Sequence, residues 1–100
     1  MCNEEDIPNK VLMQNEIIRL SNLLDEQYSK ELNFRNHCYL RIAYDNSVSN
    51  KWDNVIPKPF VKHANDEQLK NVLMLLNSYV SNKQLLLKHN ILSLQFRKKL

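Results

Sequence analysis

Met13, Ile17, Leu20, Leu24 and Tyr28 recur at spacings of 4, 3, 4 and 4. That rhythm is the apolar stripe of an amphipathic helix. Asn15, Arg19, Asn22 and Glu26 fall on the opposite face. Pro8 suits a first turn, where the missing N–H costs no helical bond. Glu4, Glu5 and Asp6 ahead of it match the positive helix end. The pattern predicts a helix from Pro8 to near Leu32.

The next periodic segment, residues 36–46, reads NHCYLRIAYDN. Tyr39, Leu40, Ile42, Ala43 and Tyr44 spread over more than half of its circumference, so this helix belongs at the centre of the domain. Its one consistent polar line is His37, Arg41 and Asp45, spaced i, i+4, i+8. Residues 46–65 carry no helical period. Pro57 and Pro59 exclude a helix interior there and push their neighbours towards extended backbone. Short strands at Val55–Ile56 or Phe60–Val61 are compatible with the sequence but lack an evident partner. Trp52, Val55, Ile56, Phe60 and Val61 are too apolar to be left in water. The segment therefore reads as an ordered loop pinned on the helices, with Lys51, Lys58, Lys62 and His63 turned outward.

Asn65 and Gln68 have the spacing of a capping box, and Asp66 and Glu67 suit the first turn of the helix that follows. Leu69, Val72, Leu73, Leu76, Tyr79 and Val80 form its apolar face. Ser81-Asn82 breaks the pattern and caps a fourth helix, Lys83 to near Lys98. That helix carries two apolar stripes, Leu87/Ile91/Leu94 and Leu85/Leu92/Phe96. A helix in a small bundle needs one stripe, so the second implies either a sandwiched position or a partner. The expected architecture is all-α. It is a single 1–100 domain of four helices, with a long ordered loop at 46–65, a C-terminal helical hairpin and a flexible acidic start at 1–7.

Composition narrows the function classes. The chain of 100 residues has no glycine, which excludes the P-loop and the GxGxxG dinucleotide site. It also assigns any left-handed backbone to Asn or Asp, the next most tolerant residues. Fourteen asparagines beside abundant Lys and Ile fit an AT-rich genome. Residues 1–45 hold eight acids and five bases, whereas 46–100 hold three acids and nine bases. A basic half favours nucleic acid, an acidic protein surface or anionic lipid, or is simply a solvated surface with some charge asymmetry. Cys2 and Cys38 form no CxxC pair and suggest no disulfide scaffold. No apolar run is long enough for a transmembrane helix, and the acidic start is unlike a secretory signal. The expectation is a cytoplasmic protein with no membrane association.

Candidate chemistry is sparse. His37, Arg41 and Asp45 offer an ion pair with a titratable neighbour, or simply the polar edge of a buried helix. His37 and Cys38 are adjacent and so point about 100° apart, which is unsuited to a base–nucleophile pair. Cys2, His37, Cys38, His63 and His89 match no metal-ligand spacing. No catalytic residue, cofactor or metal is assigned. The sequence favours a small non-catalytic interaction or regulatory protein that binds a protein partner or itself. The binding residues would be Trp52, Lys58, Phe60, Lys62, His63, Leu85, Leu92 and Phe96. The alternative is nucleic-acid binding through Lys51, Lys58, Lys62, Arg97, Lys98 and Lys99.

Overall fold

The computed structural model describes residues 9–99. The acidic start, Cys2 and Leu100 lie outside them. The chain forms α1 (Asn9–Gln27), α2 (Asn36–Val48), a 3-10 turn (Trp52–Asn54), α3 (Phe60–His63), α4 (Asp66–Ser81) and α5 (Lys83–Phe96). The all-α expectation holds, with no strand among the described residues. Residues 46–65 are not wholly irregular. Val55–Ile56 is a turn leading out of the 3-10 segment, and Phe60–Val61 opens the single helical turn of α3. Neither forms the strand that the sequence allowed.

The two N-caps read from sequence are present. Gln68 N donates to Asn65 Oδ1 at 2.8 Å, and Asn65 N donates to Gln68 Oε1 at 2.9 Å. Asn82 Oδ1 accepts from Leu85 N at 3.0 Å, so this one residue both ends α4 and starts α5. The resulting C-terminal hairpin is splayed. The chief partner of α4 is α1, and that of α5 is α2.

Helices α1 and α4 run in the same direction. At one end, Lys10 Nζ and Gln14 Nε2 donate to the carbonyls of Lys62 and Val61, just before α4. At the other, Gln27 Nε2 and Tyr28 Oη donate to the carbonyls of Val80 and Tyr79. This second tether coincides with an early end to α1. Regular helix stops at Gln27 and a tight turn follows, with Glu31 N and Leu32 N both donating to the Tyr28 carbonyl.

Helix α2 touches α1, α4, α5 and the 3-10 turn, as its wide apolar surface requires. Ile17, Leu20 and Leu24 of α1 meet Tyr39, Ile42 and Ala43 of α2 and Leu69, Val72 and Leu76 of α4 in one sealed core. Loop residues Ile56 and Phe60 join it at 3% and 2% exposure, so the loop is part of the fold.

Two helix ends need left-handed backbone. Ser49 (φ 55°) closes α2, and Lys98 (φ 60°) closes α5. The expectation of Asn or Asp at such positions is not met. Lys99 N donates to the Leu94 carbonyl and Lys98 N to that of Gln95, the bonding of a Schellman ending. In α2, Ser49 N and Asn50 N both reach the Asp45 carbonyl. These backbone bonds offset the cost of the left-handed residue, about 1–2 kcal/mol without glycine.

Burial predicts opposite outcomes for two neighbouring aliphatics of α1. Leu24→Ala removes a fully buried side chain and lowers unfolding free energy by about 2–5 kcal/mol. Ile18→Ala, at a position 54% exposed, changes it by no more than about 0.5 kcal/mol. Urea titration followed by circular dichroism measures both.

Candidate functional site

Asp45 is fully buried, at 0% exposure. Local period placed it on the edge of α2, but the structure turns that edge onto α5. Both carboxylate oxygens are occupied. Oδ1 accepts from Trp52 N at 2.9 Å and from Arg97 Nη2 at 3.1 Å. Oδ2 accepts from Ser93 Oγ at 2.6 Å and from Arg97 Nε at 2.7 Å. A buried carboxylate is tolerable only with such bonding, because desolvation otherwise disfavours the charge by several kcal/mol. The side-on Arg97 contact, using Nε and Nη2, is the bidentate geometry that guanidinium offers a carboxylate.

Arg41 does not pair with Asp45. Its Nη1 donates to Ser93 Oγ and its Nη2 to Asn90 Oδ1, both at 2.8 Å. Ser93 therefore receives a hydrogen bond from Arg41 and passes one to Asp45. His37, one turn earlier, is exposed and outside this network. The stripe His37/Arg41/Asp45 is thus divided: two members tie α2 to α5 and one faces water. Ser93 and Asn90, which the sequence reading passed over, are the acceptors that complete the arrangement. Their signal is present in α5. Asn90, Ser93 and Arg97 form a polar line at i, i+3, i+7 between the two apolar stripes.

That line explains the double stripe. The buried seam of α5 runs through Leu86 and Ser93, each at 0% exposure. Leu85, Leu92 and Phe96 flank it on one side and Leu87 and Leu94 on the other, all half-buried. Ile91 alone of these is mostly outward, at 48%.

The loop is fixed from its other side by rings. Phe60 stacks on Tyr44 with centroids 3.9 Å apart and planes 5° from parallel. Trp52 stands edge-on to both, at 5.6 Å from each. Such pairs contribute about 0.5–1.5 kcal/mol each beyond burial. Burial also pushes the Tyr44 hydroxyl up to about 12, so it stays protonated at neutral pH. Phe60, expected at a partner surface, belongs instead to the core. Trp52 is half-buried, as expected of a loop anchor.

The charged residues separate into used and free. Arg97 serves Asp45, which removes it from the phosphate-contacting set proposed from sequence. Lys51 and Lys58 approach Asp53 at 3.4 and 3.7 Å. Lys58 remains 73% exposed, and Lys62, His63, Lys98 and Lys99 are exposed. Among the described residues, no three His, Cys, Asp or Glu converge as metal ligands, and no helix is long and apolar enough to cross a membrane. A surface pocket of about 260 Å³ lies at the α1–α2 turn, lined by Asp25, Ser29, Leu32, Asn33, Phe34 and Arg35. None of the residues singled out from sequence lines it.

A second polar contact secures α5 to α4. Tyr79 Oη lies 2.7 Å from His89 Nδ1. Burial raises the Tyr79 hydroxyl, while burial and then the Lys88 charge lower the His89 imidazole from its ordinary 6.5. Both groups are neutral at pH 7, and the imidazole tautomer sets which of the phenol and Nδ1 donates. Asn46 Nδ2 adds a bond to the His89 carbonyl at 2.9 Å.

Comparison with known proteins finds no match: no family model, no curated protein and no solved structure matches this chain.

Two outcomes are expected. Asp45→Asn removes the counter-charge from the Arg97 guanidinium, whose side chain keeps 19% exposure, and weakens its charged hydrogen bonds, which lowers stability by about 1.5–3 kcal/mol. It also weakens the acceptor for Trp52 N, so tryptophan emission shifts to the red at denaturant concentrations where the wild-type chain stays folded. The His89 contact makes stability pH-dependent. Its folded pKa is depressed, so its contribution is complete above 6.5 and is lost as pH falls from 6.5 through the folded value. Urea midpoints measured on both sides of that value show the loss, and His89→Gln flattens it.

Proposed function

We propose that this protein is a small interaction module without catalysis of its own, and that it presents the 51–60 loop to a protein partner. One observation carries the reading: the loop is held rigidly at its base while its tip faces water. Trp52 N is bound to Asp45, Ile56 and Phe60 are buried, and between them Val55 is 49% exposed beside exposed Pro57, Lys58 and Pro59. A segment already fixed in one conformation loses little entropy on binding, so more of its contact energy appears as affinity. The exposed aliphatics of the helices support the reading less. Val11, Leu12 and Ile18 lie on α1, Met74 on α4 and Ile91 on α5, and none of them has a basic loop beside it in sequence.

The test is capture from native lysate of the source organism on immobilised protein, with and without nuclease. The expected partner survives nuclease and is lost with Val55→Asp. It is retained with Met74→Asp, a change outside the loop at a position 60% exposed. Circular dichroism checks that both variants are folded. A captured set indifferent to Val55→Asp, or capture abolished by nuclease, rejects the proposal.

A further inference from the structure

We infer that the segment received by this loop is acidic and carries apolar side chains; the inference rests on the loop-docking reading above. The buried carboxylate is what assembles the surface. Trp52 N and the Arg97 guanidinium bind the same Asp45 side chain, at 2.9 Å and at 2.7 and 3.1 Å. Lys51 precedes Trp52 and Lys98 follows Arg97, so each of the two residues that share Asp45 has a lysine next to it in sequence. Asp53 then draws in Lys58 alongside Lys51.

The charges do not balance there. Arg97 binds Asp45, Lys51 and Lys58 approach Asp53, Arg41 bonds the Ser93 that Asp45 also holds, and Lys98 and Lys99 follow Arg97 in the chain. Asp45 is sealed from solvent, and Arg41 donates only to neutral acceptors. The surplus positive charge is presented on Lys58, Lys98 and Lys99, which are exposed. Summed charge of one sign steers an oppositely charged partner and selects against like-charged ones.

Peptide fits this surface better than nucleic acid for two reasons. Single strands bind through bases stacked on aromatic faces. Here Phe60 is buried with one face stacked on Tyr44, and Trp52 is packed edge-on against both rings. At the tip, Val55 and the two prolines sit beside Lys58 and present apolar surface that a phosphate backbone does not match. An acidic segment with interspersed aliphatic residues satisfies both the cations and the apolar tip.

Fluorescence anisotropy on the folded full chain tests the inference with four labelled probes. These are a peptide alternating Glu and Leu, the same peptide with Gln for Leu, and single- and double-stranded DNA oligonucleotides. The expected order places the Glu-Leu peptide first, with affinity falling as salt rises. The triple variant K58E/K98E/K99E, changed only at exposed positions, is expected to lose about tenfold in that affinity. Val55→Asp is expected to reduce it to the level of the Gln peptide. Oligonucleotides binding as tightly as the Glu-Leu peptide, no peptide binding at all, or binding unaffected by the triple variant overturns the inference. The lysate capture separates the two levels. A partner lost with Val55→Asp but kept by K58E/K98E/K99E ends the acidic-segment inference and leaves the loop reading standing. Insensitivity to Val55→Asp in both assays ends both.

Discussion

Asp45 is a carboxylate with no access to water, and the arrangement of three chain segments depends on satisfying it. Its oxygens take the Trp52 amide from the loop, the Ser93 hydroxyl and the Arg97 guanidinium from α5, while its own backbone belongs to the central helix. Each bond would be modest in isolation. The asymmetry is what matters, because a partner removed leaves a desolvated charge behind. Loop and α5 therefore order together around one residue of α2.

Backbone strain collects in the same region. The left-handed residues Ser49 and Lys98 lie four residues after Asp45 and one after Arg97. A chain without glycine carries these ends at a cost. Strained backbone persists where its surroundings over-determine it. Here the Asp45 carbonyl accepts from the α2 terminus, while its side chain holds the residue that precedes the α5 ending.

The same contact links fold to proposed function. A loop bearing Trp52, Ile56 and Phe60 would collapse onto the core for hydrophobic reasons alone, without one defined conformation. The hydrogen bond to Trp52 N and the three-ring cluster of Tyr44, Trp52 and Phe60 select one. They leave Val55 and Lys58 outward. A segment held in one conformation loses little entropy on binding, which is what the proposed docking role asks of it.

The sequence by itself determined the local features. The α1 stripe, the Asn65–Gln68 box, the Asn82 cap and the central place of α2 all follow from spacing within one helix, where period and caps act over three or four residues. The burial of Ile56 was legible too, from an apolar run too large to leave wholly in water, yet Val55 of the same run stays 49% exposed and Phe60 had also been expected at a partner surface. Tertiary structure decided what Asp45 and Arg41 do. Period alone puts both on a helix edge, and their partners Ser93, Asn90 and Arg97 lie about fifty residues away. The polar line in α5 was visible, but nothing in it names the helix that it faces. Whether an edge is wet or sealed depends on which element crosses it. That is set by the packing of all the helices together, and no spacing within one of them records it.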